Sequence, residues 1–331
     1  MKQLAYLRPS DPALAVAEVS DNPRAEFLAG GTNLVDHLKL GVATPDLLVD
    51  VRHLPLDSVD DLGTGLRIGA NVLNSDLAAH PRVRSEWPAV ARALLAGASG
   101  QIRNQATTAG NLLQRTRCVY FQDITTPCNK REPGAGCSAA DGYDRYNAIL
   151  GTSPACVAVH PSDLAVALAA VDAVVVVLGR DGERRLPVGE LHRLPGDQPD
   201  RDTNLGHGDL ITAVELPASP AARRSTYVKV RDRASYAFAL VSVAAGIELD
   251  GDEVRDVRIA WGGVAHKPWR ASRAEELLRG QRLTERAVRA AAEAELAEAS
   301  PTAGSAYKVA MVRNATALAF RWLDSYREEQ P

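Results

Sequence analysis

Short apolar runs alternate with polar and glycine-containing turns over the first 70 residues. Residues 1–52 are expected to run strand, helix, loop, helix and strand. The pattern predicts helices at Pro12–Val19 and Leu34–Leu40, strands at Ala25–Ala29 and Asp46–Val51, and a turn followed by a strand within Gly63–Ala70. The predicted strand at Ala25–Ala29 runs directly into Gly30-Gly31-Thr32-Asn33, just before a predicted helix.

The middle of the chain combines regular and irregular segments. Trp87–Ala98 has apolar residues at helical spacing, whereas Ser99–Asn111 is small and polar and predicts a loop. Residues 114–156 hold the cysteines among prolines and glycines, and we expect them to be irregular. Regular structure returns with a helix at Ser162–Ala170, a strand at Ala173–Leu178 and a hairpin turn at Arg180–Glu183.

The C-terminal third shows strands first and helices afterwards. Leu194–His207 is rich in proline and charge and predicts a surface loop, and Pro217–Pro220 is the best linker in the chain. The other predicted elements are strands at Leu210–Leu216, Thr226–Val230, Ala239–Leu249 and Val254–Trp261, an Asp250-Gly251 hairpin turn, and helices at Ser272–Leu278, Thr284–Ala299 and Ala306–Tyr326.

Composition excludes some classes of partner. Of 331 residues, 46% are hydrophobic and 24% charged, with a formal net charge of -3, so nothing favours nucleic acid or an anionic membrane. The longest apolar stretch, Leu164–Leu178, is interrupted by Asp172 and is too short to insert across a bilayer. Residues 1–9 lack the apolar core of a secretory signal. We therefore expect a cytoplasmic protein, or a periplasmic one exported together with a signal-bearing partner.

Two glycine-containing turns are candidate phosphate-binding loops. In Leu28–Leu34, paired glycines allow close backbone approach, and the following helix start presents unpaired N–H groups. Thr107–Asn111 is a second loop of small residues with hydrogen-bond donors. Neither matches the dinucleotide fingerprint GxGxxG, and each alone is typical of a structural turn. Together they suit the two sides of one pyrophosphate.

All four cysteines lie in one 39-residue window, at Cys118, Cys128, Cys137 and Cys156. Two disulfides are the alternative, but the lack of an export signal argues against an oxidising compartment. Clustered cysteines favour a metal site instead. Spacings of nine, eight and eighteen intervening residues include no CxxC knuckle, so zinc and an iron–sulfur cluster stay equally open. His160 is a candidate for a mixed zinc site.

Four segments taken in order carry a family resemblance: Leu28–Leu34, Gln101–Leu112, His160–Leu164 and Gly262–Ala265. This set resembles the FAD-binding medium subunit of the xanthine dehydrogenase and molybdenum hydroxylase family. The cysteine segment is most similar to the insert of bacterial periplasmic-type aldehyde oxidoreductase FAD subunits. That resemblance implies that Cys118, Cys128, Cys137 and Cys156 bind a [4Fe–4S] cluster, and so favours the cluster over zinc.

The resemblance also implies a fold. It is α+β, with an FAD-binding domain of the vanillyl-alcohol-oxidase (PCMH) type over residues 1–218. That domain has subdomains of about 1–55 and 56–218, with the iron–sulfur insert at 114–156. A smaller C-terminal α+β domain, similar to that of carbon monoxide dehydrogenase flavoproteins, would occupy residues 219–331.

Cofactor-binding residues follow by the same resemblance, and no residue is assigned a catalytic role. Asp163 would bind ribityl or ribose hydroxyls, Ile211 would pack on the isoalloxazine, and Lys229 would lie near the flavin carbonyl edge. The pyrophosphate would be held on one side by Leu28, Ala29, Gly30, Gly31, Thr32, Asn33 and Leu34, and on the other by Thr107, Thr108, Gly110 and Asn111. Asn33 departs from the Asp of many relatives, which keeps a hydrogen-bonding side chain and removes a charge.

The implied function is electron transfer within a heterotrimer. A molybdenum-cofactor large subunit would oxidise an aldehyde, and a [2Fe–2S] small subunit would pass electrons to this chain, which reduces an external acceptor. The chain alone would not act on the organic substrate. Alternatives are the FAD subunit of a related molybdenum hydroxylase (an aromatic acyl-CoA reductase, or a purine or N-heterocycle dehydrogenase), a self-contained flavin oxidase, and a zinc- or disulfide-stabilised binding module.

Overall fold

Three β-sheets with helices packed on them make up the architecture, seen in a computed structural model that describes residues 2–325. Residues 326–331, which include the predicted end of the last helix at Tyr326, lie outside the described residues. None of the described helices is both long enough and apolar enough to cross a membrane.

The first sheet has three parallel strands in the order β1-β3-β2. Its elements are β1 (Ala5–Leu7), α1 (Pro12–Asp21), β2 (Ala25–Leu28), α2 (Leu34–Leu40) and β3 (Leu47–Asp50). Helix α1 begins where the Asp11 side chain accepts a hydrogen bond from the Leu14 N–H at 2.9 Å. Helix α2 ends at Gly41, which has a φ of 75°. Strand β2 leads into the paired glycines, as the sequence predicts.

The second sheet has five antiparallel strands in the order β4-β5-β8-β6-β7. This region contains β4 (Val59–Asp61), β5 (Gly65–Gly69), α3 (Asn74–Ala79), α4 (Pro81–Glu86), α5 (Pro88–Ala96), α6 (Gly100–Arg103), α7 (Thr108–Leu112), α8 (Val119–Gln122), α9 (Asp163–Ala170), β6 (Val174–Gly179), β7 (Gly182–Pro187), α10 (Val188–Leu191) and β8 (Leu210–Pro217). Every residue of α9 is buried, because this apolar helix packs between α5 and the third sheet.

The third sheet has four antiparallel strands in the order β12-β11-β10-β9. Its elements are α11 (Pro220–Arg223), β9 (Ser225–Val230), β10 (Val241–Asp250), β11 (Glu253–Gly262), β12 (Trp269–Arg270), α12 (Ser272–Leu278), α13 (Glu285–Glu295) and α14 (Tyr307–Ser325). A 3-10 turn, Leu296–Glu298, follows α13. Helix α14 docks on the sheet, where the buried Trp261 Nε1–H donates to Thr316 Oγ1 at 3.0 Å.

The segment 99–111 differs from the predicted loop, because it forms the two helical turns α6 and α7. Each turn is capped by the hydroxyl that precedes it. Ser99 Oγ accepts from the Ile102 N–H at 3.3 Å, and Thr107 Oγ1 accepts from the Gly110 N–H at 3.2 Å. A hydroxyl that satisfies a free N–H group in this way stabilises a helix start. The small polar residues therefore form compact turns.

The cysteine segment, 114–156, is largely irregular, as predicted, with α8 the one helix described within it. Side-chain bonds to the backbone hold it together and fix it to the third sheet. Asn129 Nδ2 donates to Ala155 O at 2.9 Å. Lys308 Nζ donates to Tyr146 O at 2.9 Å and to Gly263 O at 2.8 Å. Lys308, the second residue of α14, thus connects this helix to the segment through two carbonyl acceptors, and burial lowers its pKa to about 7.

Candidate cofactor site

A cleft of about 320 Å³ lies between the turn after β2, helices α5 to α7, the start of α9 and strand β9. A groove of about 160 Å³ adjoins it. Thr32, Asn33 and Gly110 line both, so the cleft and the groove are continuous.

The two predicted glycine turns lie side by side along the groove. Its walls include Ala29, Gly30, Gly31, Thr32, Asn33 and Leu34 from the first turn, and Thr107 and Gly110 from the second. Asn111, Asp163 and Lys229 line the adjoining cleft. The structure thus brings together eleven of the fourteen residues predicted to bind cofactor.

Three predicted residues lie outside these walls. Leu28 ends strand β2 before the turn begins. Thr108 is buried, and its hydroxyl donates to Val72 O at 2.9 Å. Ile211 is 1% exposed in the core of the second sheet, where it pairs with Val177 of β6. A side chain enclosed by that core does not line the cleft, so the structure gives no support for packing of Ile211 on an isoalloxazine ring.

Both glycines of the first turn are required by its geometry. A Cβ atom on Gly30 would lie 2.1 Å from the Gln105 carbonyl oxygen, since the two turns meet backbone to backbone. Gly31 has a φ of 73°, a conformation that residues with a Cβ rarely adopt. The first turn therefore presents bare backbone to the groove.

A buried ion pair forms one end of the cleft. Lys229 Nζ donates to Asp163 Oδ2 at 2.7 Å and to Ala96 O at 3.1 Å, and the Tyr227 hydroxyl donates to Asp163 Oδ1 at 2.5 Å. The side chains of Lys229 and Asp163 are 4% and 8% exposed. Burial and the adjacent Asp163 raise the pKa of Tyr227, which keeps its proton. The two charges compensate each other, so the cleft end is close to neutral.

Asn33 links the first turn to the start of the cysteine segment. Its Oδ1 accepts a hydrogen bond from the Arg115 N–H at 2.9 Å. Its Nδ2 lies 3.3 Å from His37 Nε2. Burial, reinforced by nearby Arg115 and Arg117, lowers the pKa of His37 to about 4, so that ring is neutral. An amide satisfies both neighbours without bringing a carboxylate into the groove.

Other cleft residues escaped the sequence analysis. Arg103, Gln114, Arg117 and Phe238 also line the cleft. The Arg117 guanidinium lies 5.0 Å from the centre of the Phe238 ring. Burial lowers the pKa of Arg117. The sequence did contain a signal for the two arginines. Arg103 and Arg117 lie on either side of the loop Thr107–Asn111, and cations close to bare backbone favour an anionic ligand.

The four cysteines are free thiols that surround one small cavity. Lys130, which is 3% exposed, lines the same cavity. Burial raises the pKa of the Cys118 thiol, and it raises that of Cys156 to about 11. Within residues 2–325, no group of three or more His, Cys, Asp or Glu side chains is placed to hold a metal ion. The four thiols therefore share one cavity, although the described residues form no ready-made site for a single metal ion.

The histidine near the cysteines is not the predicted one. His160 packs against His192 with ring centres 4.1 Å apart, and burial keeps its pKa well below the usual value. His266 approaches a thiol instead, with Nε2 at 3.1 Å from Cys156 Sγ. Sequence reasoning missed His266, which lies 110 residues away along the chain.

Asp202, in the loop between α10 and β8, binds two cations of the cysteine segment. Arg115 Nε donates to Asp202 Oδ2 at 2.6 Å, and Lys130 Nζ donates to Asp202 Oδ1 at 2.5 Å. Burial acts to raise the pKa of Asp202, but Arg115 and Lys130 outweigh it and lower the pKa to about 2. The carboxylate is charged at neutral pH and connects the cysteine cavity to the residue that contacts Asn33.

Comparisons with known proteins cover nearly the whole chain. Residues 2–219 match the FAD binding domain in molybdopterin dehydrogenase, and residues 226–323 match the CO dehydrogenase flavoprotein C-terminal domain. The chain is 50% identical over 320 residues to the aldehyde oxidoreductase FAD-binding subunit PaoB of Escherichia coli K12, spanning 96% of this chain and 97% of that protein. It is 29% identical to the glyceraldehyde dehydrogenase medium chain of Sulfolobus acidocaldarius, spanning 86% and 83%.

Solved structures give the same result for the fold. Carbon monoxide dehydrogenase from Hydrogenophaga pseudoflava, in a form lacking the Mo-pyranopterin moiety of its molybdenum cofactor, superposes with a TM-score of 0.76 at 25% identity, covering 97% of this chain and 96% of that one. Quinoline 2-oxidoreductase from Pseudomonas putida 86 gives 0.74 at 21% identity, covering 96% of each. The structural likenesses confirm the α+β fold class, and the domain matches and the 50% identical relative confirm the family resemblance.

The Lys229–Asp163 pair generates a stability prediction. Lys229→Met leaves the buried Asp163 carboxylate without its cation, and we expect the free energy of unfolding to fall by about 3 kcal/mol. Asp163→Asn in the same chain removes the unpaired charge, so the double variant should recover part of the loss. Denaturant unfolding at pH 7 measures all three proteins. A Lys229→Met variant as stable as the unmodified chain would contradict the prediction.

Proposed function

This chain belongs to the family of FAD-binding subunits of molybdopterin dehydrogenases and is an oxidoreductase subunit, and we propose that it is the FAD- and [4Fe–4S]-containing electron-transfer subunit of a molybdenum-dependent aldehyde oxidoreductase. Its proposed role is to pass electrons from a [2Fe–2S] subunit to an external acceptor. The observation that carries the proposal is the presence, in one chain, of the glycine-lined cleft and the cavity surrounded by four free thiols.

The cleft and groove suit FAD. The turn at 29–34 would hold the pyrophosphate through backbone N–H groups, and Thr107, Gly110 and Asn111 would hold its other side. In support, Gly30 and Gly31 present no Cβ, and the N-terminal ends of α2 and α7 both meet the groove. When bound, FAD supplies reversible redox chemistry of its own.

Asp163 and Lys229 would serve the far end of the cofactor as a pair. The Asp163 carboxylate is the acceptor we assign to ribityl or ribose hydroxyls. Lys229 is assigned to the flavin carbonyl edge, where a cation stabilises negative charge on the ring. Because Lys229 already binds Asp163, its net electrostatic effect on a flavin is smaller than that of an unpaired lysine.

Cys118, Cys128, Cys137 and Cys156 are the proposed ligands of a [4Fe–4S] cluster. The four thiols converge on one cavity, although they come from an irregular segment that spans 39 residues. Lys130 lines the same cavity, but its ammonium group is paired with Asp202, so it offsets less thiolate charge than an unpaired lysine would. Among residues 2–325, neither Asp nor Glu lines this cavity, which favours a soft metal centre over a hard cation.

An aldehyde is the substrate class we propose for the assembled enzyme. Identity to the aldehyde oxidoreductase subunit is 50%, against 25% for a xanthine dehydrogenase subunit and 25% for the nicotine 6-hydroxylase medium subunit. The proposed partners are a molybdenum-cofactor large subunit and a [2Fe–2S] small subunit, and the substrate would be oxidised in the large subunit. We also propose domain limits of 1–218 and 219–331, and a cytoplasmic location or export with a partner.

The proposal predicts that FAD occupancy depends on the close contact between the Gly30 backbone and the Gln105 carbonyl group. Gly30→Ala should give folded protein with severalfold less FAD per chain, because the added Cβ forces the two turns apart. Gly189→Ala is the matched control, since a Cβ there meets nothing within 4 Å. Flavin absorbance of purified protein, with circular dichroism to verify folding, makes the measurement. Full FAD in a folded Gly30→Ala variant would remove the first turn from the site.

The function itself is tested on the native complex. Affinity purification through this chain should recover a molybdenum subunit and a [2Fe–2S] subunit, and the complex should oxidise members of an aldehyde panel with an artificial acceptor. Iron and acid-labile sulfide in the isolated chain should each be about four per chain, the stoichiometry of one cluster. Zinc near one per chain without sulfide would refute the cluster, and a complex active on purines but not on aldehydes would refute the substrate class.

A further inference from the structure

One side chain of the C-terminal domain contacts a cysteine that lines the cavity of the N-terminal domain. His266 follows the turn after β11 and is 8% exposed. Its Nε2 lies 3.1 Å from Cys156 Sγ, while its Nδ1 is buried and has no hydrogen-bond partner among the described residues. A proton on Nε2 puts the N–H group where an acceptor is available and leaves a lone pair, not a second N–H, at the unpartnered Nδ1.

The backbone around His266 is clamped from both sides. The Ile149 N–H donates to Val264 O at 2.8 Å, and the His160 N–H donates to Ala265 O at 2.9 Å. Both donors flank Cys156 in the sequence. The position of the imidazole relative to the sulfur is therefore fixed by main-chain hydrogen bonds between the two domains, and does not depend on the imidazole–sulfur contact itself.

This contact distinguishes Cys156 from the other three cysteines. Among residues 2–325, His266 is the one side chain that hydrogen-bonds to a cysteine sulfur, whereas Cys118 has only backbone N–H groups, those of Tyr120 and Phe121, as donors. A hydrogen bond to a ligating sulfur withdraws negative charge from an iron–sulfur cluster, and such bonds are among the features that set its reduction potential. Reduction adds one negative charge, so a donor stabilises the reduced state more than the oxidised state.

We propose that His266 is a positioning residue for the cysteine centre: its Nε2–H donates to the Cys156 thiolate and raises the reduction potential of the bound cluster. The proposal rests on the [4Fe–4S] cluster proposed above. It assigns a role in electron transfer to the C-terminal domain, because that domain supplies the donor through the turn that follows β11.

Two substitutions separate hydrogen bonding from packing. His266→Leu removes the donor, whereas His266→Gln keeps an N–H group on a side chain of similar reach. His53→Gln, at an exposed histidine far from the cavity, is the control. Iron and sulfide per chain are measured first on the full-length chains. The midpoint potential of the cluster is then determined by redox titration, followed by electron paramagnetic resonance of the reduced state.

The expected result is a more negative midpoint potential in His266→Leu at unchanged iron content, with His266→Gln close to the unmodified chain. An unchanged potential in a fully loaded His266→Leu chain overturns the proposal. If the unmodified chain itself lacks iron and sulfide, the cluster proposal fails, and the failure is visible before any variant is compared.

A second measurement requires no amino-acid substitution. Incorporation of ¹⁵N-histidine into the unmodified chain should give a weak nitrogen coupling in the pulsed resonance spectrum of the reduced cluster, as expected for a hydrogen-bonded ring. Absence of any coupling would contradict the proposal even if His266→Leu failed to fold. A coupling of the size found for a nitrogen bound to iron would also overturn it, because His266 would then be a ligand.

Discussion

The half-buried carboxylate of Asp202 holds the cysteine segment in place. That segment has little regular structure, so its position depends on a few side-chain contacts together with main-chain hydrogen bonds near its end, such as Ile149 N–H to Val264 O. Asp202 binds Arg115 at the start of the segment and Lys130 beside the cysteines. Arg115 also donates its N–H to Asn33 in the glycine turn. Through these contacts, one charge connects the proposed flavin site to the proposed cluster site.

The third sheet and the turn after β11 contribute residues to both the proposed flavin site and the proposed cluster site. Strand β9 supplies Lys229 to the cleft, and the turn after β11 places His266 beside Cys156. Lys308 of α14 donates to the backbone of the cysteine segment and of the same turn. The C-terminal domain is therefore part of both proposed cofactor sites, and a chain cut at the linker would lose a wall from each of them.

The sequence pattern was sufficient to predict elements that depend only on neighbouring residues. Helix α2 spans the predicted residues Leu34–Leu40. It could be predicted because its apolar spacing and the glycine that ends it lie within a few residues of each other in the sequence. The segment 99–111 was predicted as a loop because the capping hydroxyls of Ser99 and Thr107 were overlooked. Asp202 and His266 had no local signal, since their partners lie 87 and 110 residues away. Only the fold brings such residues together.

Cofactor content of Asp202→Asn tests most directly whether this carboxylate couples the two sites. Asparagine keeps the size of the side chain but removes the charge that balances Lys130 and Arg115. Iron, sulfide and FAD per chain are determined on purified protein, with Asp181→Asn, in the exposed β6–β7 turn, as the control. The account predicts that iron and FAD both fall in Asp202→Asn while the control retains both. A folded Asp202→Asn chain with full iron and full FAD would contradict it.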